Sequence, residues 1–248
     1  MLGIVVSLPW ELKSLTRQTI HVGACRQIRD DTLVALSGMG AARSHAAGAL
    51  LVSRGATALL SWGCAAALDD RLKAGNVVLP ERVIGATGES YPVSDGWHQR
   101  VYQALSVKYP VDTGALVESE TLVKTRDLKR TLAQRTQAVA TDMESLAQAR
   151  LAHARRMPFI AVRVIIDTAS TQMPENVMQA LDHRGDIKVG SFLARALLRP
   201  ADGITLMKLG IQFNAARRTL KKASALVLDA SRIHLNCLPA DVSPTARL

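Results

Sequence analysis

Asp167 closes an apolar run at 159–166 (FIAVRVII) and opens into Thr168, Ala169 and Ser170. A strand that ends on a lone carboxylate among small polar residues is how an open α/β sheet brings a reactive group to its carboxyl edge. Two further acids, Asp142 and Glu144, stand at the start of the preceding amphipathic helix. Carboxylates arriving from neighbouring elements suit general acid–base chemistry. Acids in a first helical turn also complement the helix dipole, and for Asp142 and Glu144 both readings stand. Glu11 has the same two readings: it follows the first apolar run closely, within a short helix that Pro9 opens.

Glycine turns are the second source of chemistry. SGMG at 37–40, after a strand and before a helix, has the form of an anion cradle built from Ser37, Gly38 and Gly40 with Arg43 beyond them. Strand–turn–helix junctions also take glycine for backbone reasons alone. WGCAAAL at 62–68, which contains Gly63 and Cys64, reads as a second close-approach turn, equally unspecific by itself. The six histidines form no i,i+4 pair, and the three cysteines, Cys25, Cys64 and Cys237, are odd in number and far apart. That pattern argues against a metal site and a disulfide framework and suits a reducing compartment.

The elements that must position these groups alternate. Strands are expected at 3–7, 22–29, 32–37, 57–61, 77–79, 111–117, 138–141 and 159–166, and helices at 41–54, 97–107, 125–135 and after Glu144. Alternation of this kind means an α/β three-layer sandwich with a mostly parallel central mixed sheet. From Ile204 onward Leu206, Leu209, Phe213, Ala216, Leu220, Ala223 and Val227 step by three and four, the period of an amphipathic helix. The organisation expected is a catalytic domain at 1–200 and a basic helical extension at 201–248.

The formal charge is +10 with 248 residues and 48% apolar content. Between Arg199 and Arg232 seven basic residues face two acids, Asp202 and Asp229, so about half of the excess lies in this segment. Aromatics amount to 4% and no nucleic-acid motif occurs, which speaks against nucleic acid as the partner. No apolar run reaches the ~20 residues of a membrane span, and the start of the chain reads as a strand rather than a signal peptide. A basic amphipathic helix fits either an anionic membrane surface or the protein's own body.

Taken in order, these segments resemble the nucleoside phosphorylase and nucleosidase superfamily, which includes 5′-methylthioadenosine/S-adenosylhomocysteine nucleosidase. The resemblance spans residues 3–170 and rests on GIVVSLPWELKSL, SGMGAARSHAAGALL, SWGCAAALDDRLKAGNVVLPE, ESETLV and TDMESLAQARLAHARRMPFIAVRVIID. It implies a phosphorylase-like fold, usually oligomeric, and cleavage of an N-glycosidic bond. Asp167 would serve the leaving purine at N7, Glu144 the ribose hydroxyls, Met143 the sugar face, Leu122 and Val123 the base, and Glu11 an attacking water. Cys64 and Ile166 stand where the family often has serine, no G-D-P-x-R loop follows the first strand, and no arginine precedes Gly63. These departures favour water over phosphate as nucleophile. Phosphate stays open as a co-substrate at Ser37, Gly38, Gly40, Arg43, Gly63 and Cys64, and no other cofactor is implied. YPVSDGW, FLARALLRPADGITLMKLG and the basic helix resemble the hopanoid-biosynthesis branch. That branch implies adenosylhopane, a lipid-linked adenosine, as substrate of a cytoplasmic enzyme peripheral to the inner membrane. A methylthioadenosine-type nucleosidase and a non-catalytic nucleoside-binding homologue are the alternatives.

Overall fold

The computed structural model describes residues 1–172 and 200–236, with side chains in the last helix described from 207 to 232. The run at 192–199, His183, Cys237 and the segment 238–248 lie outside the described residues, as do the side chains of Leu206 and His234.

Apolar runs become the buried strands. β1 (Leu2–Val6), β3 (Thr32–Leu36) and β11 (Phe159–Asp167) are buried almost throughout, as strands covered on both faces must be. Between β1 and β3 lie α1 (Pro9–Leu12) and β2 (Cys25–Arg29), which pairs antiparallel with β3. α2 (Ala41–Ser53) follows, then β4 (Ala58–Ala67), β5 (Val77–Val78), and the hairpin β6 (Arg82–Gly85) and β7 (Ser90–Pro92). α3 (Asp95–Ser106), β8 (Val111–Asp112), β9 (Leu116–Glu118), α4 (Arg126–Thr136), β10 (Ala140–Asp142) and α5 (Ser145–Ala154) complete the body before β11. The last helix, α6, is Pro200–Asn236.

β4 is the axis of the 11-stranded mixed sheet. Its first half pairs in parallel with β1 on one side and β11 on the other, and its last residues pair antiparallel with β10. Residues 62–68 are therefore not a turn: 62–67 continue the strand. Small residues with weak strand preference are held extended there because both backbone edges are paired. The strand expected over 111–117 is two strands, β8 on β5 and β9 on β6 and β10, broken where the Gly114 amide donates to Asp112 Oδ1 at 2.8 Å. The polar stretch after Gly85 contains a strand, β7, that sequence reading leaves as loop.

α2 and α5 pack on each other and on the sheet, as α3 and α6 do, giving the α/β sandwich. Ala216, Leu220, Ala223 and Val227 of α6 are buried against the body. Trp97 Nε1 donates to Ser231 Oγ at 2.9 Å, and ion pairs Arg29–Asp229 and Arg232–Asp31 tie the far end to β2 and the turn after it. The apolar stripe of the basic helix thus covers the protein's own core. Met207 and Ile211, near the start of the helix, stay 62% exposed.

Candidate active site

Burial and backbone geometry bring three of the expected acids to one end of the sheet. Glu11 leaves β1 through Leu8 and Pro9 and is 3% exposed. Its Oε1 accepts from the Cys64 amide at 2.8 Å and its Oε2 from the Leu8 amide at 3.0 Å. Gly63 makes this approach feasible, since a Cβ there would lie 2.8 Å from Glu11 Oε1. Burial, eased by Arg163 and by backbone amides, pushes the Glu11 carboxyl up to about 7. Burial and the Glu11 charge also push the Cys64 thiol well up, so it stays protonated.

Glu144 is the residue before α5 and is 8% exposed. Its Oε1 accepts from the Gly40 amide at 2.8 Å and its Oε2 from the amide of half-buried Met143 at 3.2 Å. Gly40 reaches this position with φ +98°, a conformation that suits glycine. Burial first, and then the nearby Asp142 charge, push the Glu144 carboxyl up to about 8, with a smaller push from Glu11.

Asp142 does accept from amides at the start of α5, those of Glu144 at 3.3 Å and Ser145 at 3.2 Å. It has a larger part that sequence reading missed. Its Oδ2 accepts from Arg163 Nε at 2.7 Å and from the Ser145 hydroxyl. Arg163 Nη2 also donates to Ser61 Oγ at 2.5 Å and Ser145 Oγ at 2.7 Å. Burial works against this guanidinium, but Asp142, Glu11 and Glu144 together hold it above its ordinary range. The signal was present: Arg163 is the single charge inside the run 159–166, and a buried arginine needs an acid.

Asp167, 2% exposed, ends β11 after a bulge at Ile166: Ile165 pairs with Ala65 and Asp167 with Ala66. The extra residue takes Asp167 out of the alternation that Arg163 begins, and such bulges re-aim side chains. Burial raises the Asp167 carboxyl, opposed by Lys129, whose Nζ donates to Asp167 Oδ2. Lys129 was also missed. It lies three and four residues before Leu132 and Ala133, on the face by which α4 packs, so a cation on the apolar stripe was its signal. Leu122 and Val123, both half-buried, lie in the segment that joins β9 to α4.

The turn donors proposed for an anion are partly engaged. Ser37 Oγ donates to the carbonyls of Val6 at 3.2 Å and Gly38 at 2.7 Å, the Gly40 amide serves Glu144, and the Cys64 amide serves Glu11. Arg43 lies against the turn, its Nη1 being 3.3 Å from where a Cβ on Gly38 would stand.

A family model described as the phosphorylase superfamily matches residues 2–199, ending where α6 begins. No curated protein matches the sequence. Among solved structures, the fold is similar to a futalosine hydrolase of Helicobacter pylori, with TM-score 0.68, 14% identity, and 94% of this chain and 97% of that one covered. It is also similar to the 5′-methylthioadenosine/S-adenosylhomocysteine nucleosidase of Helicobacter pylori, solved with butyl-thio-DADMe-Immucillin-A, with TM-score 0.69, 14% identity and 94% and 97% covered. An S-adenosylhomocysteine nucleosidase of Streptococcus pyogenes, in complex with 5-methylthiotubericidin, has TM-score 0.66, 20% identity and 94% and 96% covered.

Proposed function

The chain belongs to the phosphorylase superfamily, and from that premise we propose that it cleaves the N-glycosidic bond of a 5′-modified adenosine and releases adenine. One observation carries this reading: Glu11 and Glu144 are buried together, each held by backbone amides and, among the described residues, by no lysine or arginine of its own. As the bond breaks, positive charge develops on the ribose, and these two fixed groups, once ionised, favour that charge more than the neutral ground state. Glu144 takes the ribose hydroxyls and Met143 the sugar face. Glu11, held near 7, suits a base that activates water. Asp167 serves the leaving base, flanked by Leu122 and Val123. Water is favoured over phosphate because Ser37, Gly40 and Cys64 spend their donors within the protein.

The test is product analysis of 5′-substituted adenosines with and without phosphate. Free adenine at a rate independent of phosphate is expected. A strict phosphate requirement overturns water as nucleophile, and no adenine under either condition overturns the reading.

For the 5′ group we propose a lipid, adenosylhopane in hopanoid biosynthesis, met by a cytoplasmic enzyme at the inner-membrane surface. Trp10, beside Glu11 in sequence, packs edge-on against Phe213 of α6 with ring centroids 4.8 Å apart. Near them along the helix are exposed Met207 and Ile211, with exposed Lys208, Arg217, Arg218, Lys221 and Lys222. Basic residues gain about 1 kcal/mol each near an anionic surface. Replacing these five cations by glutamine should abolish co-sedimentation with anionic vesicles. Binding equal to that of the unaltered protein sinks the membrane role. Deleting α6 is a poor test because it uncovers the core around Trp97.

A further inference from the structure

Lys129 is the buried residue of α4, 1% exposed on a helix whose neighbouring Leu128 is 54% exposed. Its three ammonium hydrogens are spoken for by Asp167 Oδ2, the Thr168 carbonyl at 2.7 Å and the Thr171 carbonyl at 3.3 Å. Stability does not account for this lysine, because a buried ion pair is commonly no more stable than apolar residues of like volume. Nor is it needed to seat the helix: Leu132 and Ala133 pack on Leu68, Ile84, Ala115, Val117 and Ala138.

The chemistry does supply a reason, on the reading that Asp167 serves the leaving base. An aspartate that accepts from an ammonium is ionised and has no proton of its own to give. A purine leaving as an anion needs one. Among the described residues nothing donates to the other oxygen, Oδ1, which leaves it available to a base.

We propose that Lys129 is the proton reservoir of the site, passing a proton through Asp167 to the departing purine. The C1′–N9 bond breaks and its electron pair goes to the base. Asp167 gives a proton to N7 from Oδ1 as it takes one from Lys129 Nζ at Oδ2. Water adds to the ribosyl C1′ and gives its proton to Glu11, and once adenine leaves the neutral amine regains a proton from solvent as Glu11 returns its own. The groups around the pair leave it this role. From β4 the Cys64 thiol is uncharged, and Glu11 meets the Cys64 amide rather than the pair. From α6 the uncharged Gln212 reaches only Thr171 Oγ1, at 3.3 Å.

The test compares the unaltered enzyme, Lys129→Met and Lys129→Arg on two substrates. From 5′-methylthioadenosine the base must be protonated to leave, whereas 4-nitrophenyl riboside releases a stable anion. Lys129→Met removes the charge that opposes burial of the Asp167 carboxyl, so Asp167 takes up a proton of its own; adenine release should fall less than in Lys129→Arg, and 4-nitrophenolate release should stay within a few-fold. Lys129→Arg keeps the charge and the ion pair, but a guanidinium does not give up its proton. It should lose adenine release by roughly 10²- to 10⁴-fold, the usual worth of general acid catalysis, keep 4-nitrophenolate release within a few-fold, and carry the test alone should the methionine variant not fold. Adenine release by Lys129→Arg at the unaltered rate, equal loss on both substrates, or a loss in Lys129→Met larger than in Lys129→Arg overturns the proposal. Absence of adenine release by the unaltered enzyme overturns the underlying assignment of the site instead, before any variant is compared.

Discussion

A methyl group at position 63 has nowhere to go. In Gly63→Ala the new Cβ would lie 2.8 Å from Glu11 Oε1 and 3.1 Å from both Cδ and Oε2. Gly63 is not among the residues with positive φ, so alanine fits the backbone and the whole effect falls on the carboxylate. Ordinary contact between such atoms begins near 3.5 Å, so Glu11 must withdraw by about half an ångström. That lengthens its bonds to the Cys64 amide, now 2.8 Å, and the Leu8 amide, now 3.0 Å. Misplacing a catalytic group by about 1 Å can cost about 10²-fold, so roughly ten- to a hundredfold is expected in kcat, or about 1.4–2.7 kcal/mol of barrier. KM should change little, because Glu144 and Asp167 are untouched. Initial rates of adenine release measure this, with Gly96→Ala as control. A Cβ at Gly96 meets nothing within 4 Å, and that variant should keep full activity and gain about 0.5–1 kcal/mol of stability in its helix. Full kcat in Gly63→Ala would refute the assignment of Glu11 to the reaction.

Glu11 binds its proton more tightly in the folded chain, at about 7 against 4.5. Its contribution to stability is therefore largest below 4.5 and declines as pH rises to about 7, by up to ~3 kcal/mol. Glu11→Gln should raise the melting temperature at pH 8 but not at pH 4.5 while abolishing adenine release; a lower melting temperature at pH 8 contradicts the cost assigned to the ionised carboxylate. As the proposed base Glu11 acts ionised, and Glu144 favours the ribosyl cation only when ionised, so the unaltered enzyme should slow as pH falls through about 8 and further through about 7 in steady-state assays. Arg163→Met leaves Asp142 charged and unpaired in the core, a loss of about 3–5 kcal/mol that calorimetry should read as a fall of about 10 °C in Tm. A fall under 2 °C would show that Asp142 does not depend on the arginine.

Much of the architecture was legible because buried strands are apolar runs with sharp ends: β1, β3 and β11 stand where the runs stand. Residues 62–67 were not, since Gly63, Cys64 and three alanines carry no strand signal and are extended only because β11 and β10 flank them. The carboxylates were found by their places after runs and before helices. Their cations were harder, because pairing is a property of the fold. Arg163 and Asp142 lie 21 residues apart, and Lys129 and Asp167 lie 38 apart. Periodicity revealed α6 but not its partner, since a membrane and a protein core ask for the same apolar stripe. The bulge at Ile166, which decides where Asp167 points, has no local signature.

The pairing explains why four buried acids differ. Among the described residues two cations pair within the cluster, and each takes one acid: Arg163 holds Asp142 and Lys129 holds Asp167. Glu11 and Glu144 are left with backbone amides, which orient a carboxylate without cancelling its charge. Burial then raises both, to about 7 and about 8, because each resists being charged without a counterion. A site in this condition favours the arrival of positive charge. A ribosyl ring becoming cationic supplies that charge at the moment of bond breaking, and a neutral nucleoside in its ground state does not. On the proposed reaction, Glu11 and Glu144 once ionised thus favour the transition state over the substrate, as differential binding requires.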